Sequence, residues 1–481
     1  MGSGGVLASP GEVPARSQRS LGGVLSGLSE VPIVTQGVHH IQTQPPTNPI
    51  KLQEARIPIR TTAAGKFFRW SVRIVFFSHL ILVTILIIFL TIRSLLSAAD
   101  NHHFRPKKWF PPLLTSAACA GIVGFTWQGI TSCNPSKAIK AAFWLSPLLT
   151  CAVGIVFFLI GSTGGIAAGV VALISALIQS LYGCWVNPRF EYATTVLSVS
   201  TAPPPAKTTF LVILSILASI LYSCLSISGI GGATASTTGL DPLFISIILL
   251  SLAWTMHVIK NIVLVTIARV KYMHFACGAY IDTRVAFHDT LRYCMPSVCI
   301  GSALVPILGV IQGSARAMKL LAGDTDEFLF SCADCYSGIA SAGVAYGNRW
   351  GFVHVGAFNQ GFMQASIDTW EMFKMAGLET LINSDLTGAF CFLSGVAGGA
   401  ICSLLSGIWA LAIQESHATQ VSIYAFLIGY FMCRIAMAWP QACLSAYYVA
   451  YAENPQSHQF DSTIPVRIQE LRRRQAWREQ S

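Results

Sequence analysis

The feature that most constrains this chain is a succession of long apolar runs that carry almost no charge. They fall near residues 74–92, 112–131, 141–160, 166–186, 208–229, 242–267, 291–312, 386–411 and 420–450. A helix rises 1.5 Å per residue, so roughly 20 residues cross the ~30 Å hydrocarbon of a bilayer. Backbone groups in lipid must find partners inside a helix or a closed barrel. These runs are unbroken and do not alternate in ~10-residue units, which excludes a barrel. Charged residues make up 11% of the 481, against roughly 25% in a soluble domain. The predicted fold class is therefore all-α, a polytopic membrane bundle of about ten transmembrane helices.

The chain divides into three regions. Residues 1–66 are rich in Gly, Ser, Pro and Gln and lack an apolar signal-peptide core, so a disordered polar cytosolic tail is expected. Residues 67–455 hold the membrane domain, and 456–481 a basic cytosolic tail. Basic residues set orientation, because short cytoplasmic loops are enriched in Lys and Arg. Lys66, Arg69 and Arg73 precede the first run, and Arg467, Arg472, Arg473 and Arg474 come after the last, which predicts both termini in the cytosol. The loops with Lys137 and Lys140, with Arg189 and Lys207, and with Arg269, Lys271 and Arg284 fall on the same side, whereas 161–165 and 230–241 carry no Lys or Arg. The segment 93–108, with Arg93, Arg105, Lys107 and Lys108, conflicts with this alternation.

Equal sides require an even count, and nine runs are one short. The tenth crossing is expected in the Gly- and aromatic-rich stretch 328–366. The alternative is the stretch 190–210 with Pro203, Pro204 and Pro205, which would invert the later loops. The net charge of +10 is read as topology plus attraction to membrane lipids, with no nucleic acid implied. Of 14 cysteines many lie in apolar runs, and the Cys332–Cys335 pair has no second ligand pair at zinc spacing. No cofactor or metal site is expected, and no GxSxG, HExxH or phosphate-loop motif supports an enzyme.

Polar residues at membrane depth are costly and are functional candidates by default. Trp254, His257 and Asn261 recur at helical spacing on one face, extended by Ser251. A ring face with amides and hydroxyls suits an organic cation; a polar helix seam explains the same pattern. Gly301 and Ser302 favour close helix packing. The run 420–450 is too long for one straight crossing, and Pro440 is expected to kink it. Its Arg434 is expected to pair with a buried group, Gln441 is polar at depth, and Trp439, Tyr447, Tyr448 and Tyr451 read as an interfacial aromatic belt.

Several stretches resemble the choline transporter-like family of solute carriers. NRWGFVHVGAF (Asn348 to Phe358), continuing through Phe362, Ala365, Trp370 and Glu371, resembles its most recognisable block. WTMHVIKNIVLVTIA (Trp254 to Ala268), IGSALVPILGVIQGSAR (Ile300 to Arg316) and AYAENP (Ala450 to Pro455) resemble three further motifs, in order across about 185–455. The chain departs at Gln441 and Ser445, where members often carry acids, at Phe352 for the usual Tyr, and at Asn359 for the usual Gly. The resemblance implies a ten-helix transporter with cytosolic termini in the plasma or an internal membrane. It would move choline or a related small organic solute by alternating access. Trp254, His257, Asn261, Ser302, Gln441 and Tyr447 are the expected substrate-pathway residues. A non-transporting membrane scaffold or trafficking protein on the same fold is the rival expectation.

Overall fold

The computed structural model describes residues 63–97, 106–202, 207–236, 239–322, 343, 345–413 and 417–480. The tail 1–62, Pro203 to Pro205, and the Cys332–Cys335 pair lie outside the described residues, as does the part 98–105 of the conflicting segment 93–108. The described secondary structure is helical. In chain order the helices are α1 (Ala63–Ser97), α2 (Pro106–Cys133), α3 (Pro135–Ile160), α4 (Thr163–Val186), α5 (Phe190–Thr201), α6 (Thr208–Ser236), α7 (Asp241–Cys277) and α8 (Thr283–Asp289). Beyond these come α9 (Met295–Ala322), α10 (Gly351–Phe358), α11 (Phe362–Met375), α12 (Glu379–Asn383), α13 (Thr387–Ile413), α14 (Ala418–Ala436), α15 (Ala438–Glu453) and α16 (Thr463–Gln480). Among the described residues, nine helical spans are long and apolar enough to cross a membrane.

The apolar runs map onto these helices with polar extensions, and α1 begins four residues inside the segment expected to be tail. Local chemistry sets several ends. Gly161 adopts the left-handed conformation after α3, and the Ser162 hydroxyl then caps α4 by accepting from the Gly165 N–H at 2.9 Å. Gly278 closes α7 in the same left-handed conformation. The 190–210 alternative is corrected: α5 continues α4 through a 3-10 turn at Asn187–Arg189, so residues 190–201 lengthen one span and do not make another.

A further segment packs back along α9, within the stretch where the tenth crossing was expected. Opposite α9, the segment 343–359 runs antiparallel: Gly343 lies by Leu308, Gly347 by Leu304 and Leu308, Gly301 by Phe352, and Cys294 by Asn359. Its helix α10 is only eight residues long, which is why it is not an apolar span in its own right. A Cβ at Gly301 would lie 2.6 Å from the Phe352 ring, so this close approach needs glycine. At the turn, Asn359 takes φ 54° and Arg69 Nη2 donates to its carbonyl at 3.0 Å. Asn is the side chain that tolerates this conformation best after Gly.

The run 420–450 is likewise divided. Pro440 has no N–H and its ring crowds the Ala436 carbonyl, so α14 ends there and α15 restarts after Met437 with Pro440 in its first turn. Helices α14 and α15 run parallel to α7, with Phe431 against His257 and Tyr447 against Phe275. Every residue of α15 from Ala438 to Ala450 is buried. The expected aromatic belt is therefore corrected for three of its four residues: Trp439 is 4% exposed and Tyr447 and Tyr448 are 0% exposed, packed among helices, whereas Tyr451 is half-buried.

Hydrogen bonds identify two ends of the bundle. At one, Arg73 Nη2 donates to the Arg292 carbonyl (2.7 Å), Lys207 pairs with Asp282 (2.9 Å), Tyr272 donates to Glu453, and Ser457 Oγ donates to the Phe275 carbonyl (2.9 Å). The start of α1, the end of α7 and the entry to α16 thus share this near end. At the far end Ser162 and Thr419 hydroxyls meet at 2.9 Å.

Candidate polar seam between α7, α9 and α14

Four of the expected residues meet where α7 crosses its neighbours. Asn261 is 3% exposed, and its Nδ2 donates to Ser302 Oγ on α9 at 2.9 Å. Trp254, seven residues earlier on the same face, sends Nε1 to the Cys299 carbonyl at 3.3 Å, and its ring packs against Phe76 (5.3 Å, edge-on) and His79 (4.8 Å) of α1. His257 lies edge-on to Phe431 of α14 at 5.6 Å. Ser251 extends the face and bonds the Tyr222 hydroxyl at 2.6 Å. His257 and Asn261 both face other helices.

Two basic side chains dominate this seam. Lys260, absent from the expected set, is 7% exposed and donates to Asn261 Oδ1 at 3.5 Å. It lies within electrostatic reach of Arg434 on α14, and His257 feels both charges. The expectation that Arg434 pairs with a buried group is corrected: among the described residues its Nε has no hydrogen-bond partner and no carboxylate forms an ion pair with it. Gly395 makes room for it, since a Cβ there would lie 2.9 Å from the arginine stem. Asp385, just before α13, is committed to Arg349.

Gln441 and Tyr447 stand apart. Gln441, 4% exposed, occupies the first turn of α15 with its Oε1 unpartnered among the described residues. Tyr447 donates to Asp461 Oδ1 at 2.7 Å and packs on Phe275, about 30 Å along α7 from Trp254. It belongs to a near-end lock in which Tyr192 and Tyr448 hydroxyls also meet at 3.0 Å. The signal for Lys260 was in the sequence: a lysine inside an apolar run, one residue from Asn261.

Fold and seam define an integral membrane protein with a polar interior at membrane depth. A family model described as plasma-membrane choline transporter matches residues 62–456, and the chain belongs to that family. It is similar to Protein PNS1 of Gibberella zeae, 24% identical over 60% of this chain and 51% of that protein. Protein PNS1 of Mycosarcoma maydis is 23% identical over 70% and 69%. A CTL-like protein of Dictyostelium discoideum is 20% identical over 69% and 61%. The chain thus spans about half the length of the first of these relatives.

Proposed function

We propose that this protein carries a small organic solute across a membrane, the plasma membrane in the first instance, by alternating access along the α7–α9–α14 seam. The near end, which gathers Arg69, Arg73, Arg269, Arg284 and the arginines of α16, faces the cytosol. The observation that carries the reading is Lys260 together with Arg434, two basic side chains held at membrane depth without an acid paired to either among the described residues. Their cost is several kcal/mol by insertion scales, which a purely structural seam has no need to bear.

Choline or a related amine is the solute that family membership puts first. The seam constrains how it would bind. A hydroxyl or another acceptor group fits toward Asn261, Lys260 and Arg434, while an ammonium group is repelled from them and must lie elsewhere, with the Trp254 ring the available cation–π surface. Choline-dependent thermal stabilisation of the purified protein tests this placement. Wild type is stabilised, Asn261→Leu loses roughly fivefold in apparent affinity for one neutral hydrogen bond of about 1 kcal/mol, and a wild type that no choline concentration stabilises removes choline as the solute. Absence of flux for any small solute would favour the scaffold reading, which the replaced acids at Gln441 and Ser445 suggest.

A further inference from the structure

At the near end a second polar pocket of about 250 Å³ lies between the end of α4, helix α12 and helix α16. Arg189, Arg467 and Arg474 line it, with Thr380, Asn383 and Ser384 as polar partners. Two guanidinium groups are fixed by rings: Arg189 lies 4.7 Å over Trp185 and Arg467 4.8 Å over Tyr192. Arg467 is 4% exposed, gives its Nη1 to Glu470 at 2.8 Å, and keeps Nε buried without a partner among the described residues. Three arginines and no acid among the residues lining one small pocket, with an unanswered buried donor, call for a multivalent oxyanion, since the guanidinium fork matches phosphate geometry.

Exposed apolar surface lies beside the pocket, since its Arg189 stacks on Trp185 of α4. Trp185 is 65% exposed, and Leu181, Ile178 and Leu177 above it on α4 are each over 60% exposed. A phosphate in the pocket therefore has an apolar surface beside it on which acyl chains can lie, and 250 Å³ admits a headgroup phosphate but no acyl chain. We propose that this pocket binds the phosphate of an anionic phospholipid headgroup, clamping α16 to the end of the bundle.

Soluble dioctanoyl phosphatidic acid, dioctanoyl phosphatidylcholine and inorganic phosphate are the probes, read on the purified full-length protein by thermal stabilisation and by native mass spectrometry. Phosphatidic acid is expected to bind one per protein and to raise the unfolding temperature. Each arginine contributes roughly fivefold to affinity, so Arg189→Gln with Arg474→Gln weakens binding roughly 25-fold. Asn383→Asp, which adds a carboxylate without removing a cation, weakens it as well, so a folding defect in the arginine variant is not mistaken for loss of the site. Arg472→Gln with Arg473→Gln, exposed on α16 and outside the pocket, leaves affinity unchanged. Inorganic phosphate binding as tightly as the lipid would overturn the lipid as source and make the ligand a soluble phosphate. Equal loss in the Arg472 and Arg473 variant, or no binding of any probe, would overturn the pocket itself.

Discussion

Trp254 has its indole N–H on a backbone carbonyl and its ring against Phe76 and His79 of α1, so part of its surface is already used for packing. Trp254→Ala should therefore lower stability by about 2–4 kcal/mol through the cavity it leaves, while Trp254→Phe keeps most of the packing and loses about 1 kcal/mol with the hydrogen bond. Unfolding in detergent measures both, and an unchanged melting temperature for the alanine variant would contradict the packing role. Asn359 offers a test of a different kind, because its φ of 54° is left-handed. Asn359→Gly should be near neutral, whereas Asn359→Val should cost about 1–2 kcal/mol or more from the Cβ clash. Equal stability of the two variants would show that the turn is not held in this conformation. The helical spacing of Trp254, His257 and Asn261 made their shared face legible in the sequence. The partner of Asn261 on another helix was not, because spacing within one run says nothing about which run crosses it.

Among the elements, α15 departs furthest from what its sequence suggests. Its aromatics resemble an interfacial belt, yet helices on several sides bury it, and no local pattern distinguishes a tyrosine packed on Phe275 from one packed on headgroups. The Pro440 break was legible, since a missing N–H acts locally; the burial of residues 441–450 depends on α7 and α5, far off in sequence. Where α15 ends, Asp461 ties it to α16. Burial pushes the Asp461 carboxyl up, but hydrogen bonds from Thr463 and Tyr447 outweigh this and hold its pKa below the ordinary carboxylate value. A depressed carboxylate contributes stability that is present above its unfolded pKa of about 4 and is lost as pH falls through the folded value. Wild type should therefore lose stability relative to Asp461→Asn as pH drops below about 4. Parallel acid titrations of the two proteins would count against the Tyr447–Asp461 bond.

For the whole molecule, the expected number of passes rests on charge as much as on hydropathy. The basic tails lead to the expectation of an even count, and we propose that the segment 345–359, antiparallel to α9, makes the tenth pass although its helix is too short to register as an apolar span. Cysteine labelling tests the resulting two-ended arrangement. In a background with exposed Cys133, Cys184 and Cys277 changed to Ser, Gly239→Cys should react with an impermeant maleimide in sealed right-side-out vesicles. Gln456→Cys should react only after permeabilisation, and labelling of both from one side would break the even count.

The proposed solute pathway rests finally on transport. Sealed liposomes containing the purified protein and preloaded with choline should accumulate labelled choline by exchange above protein-free liposomes. Exchange should fall several-fold for Asn261→Leu at equal amounts of folded protein, one neutral hydrogen bond being worth about 0.5–1.5 kcal/mol. Exchange no greater than in protein-free liposomes, for choline and for a panel of small amines and hydroxylated solutes alike, would contradict the account.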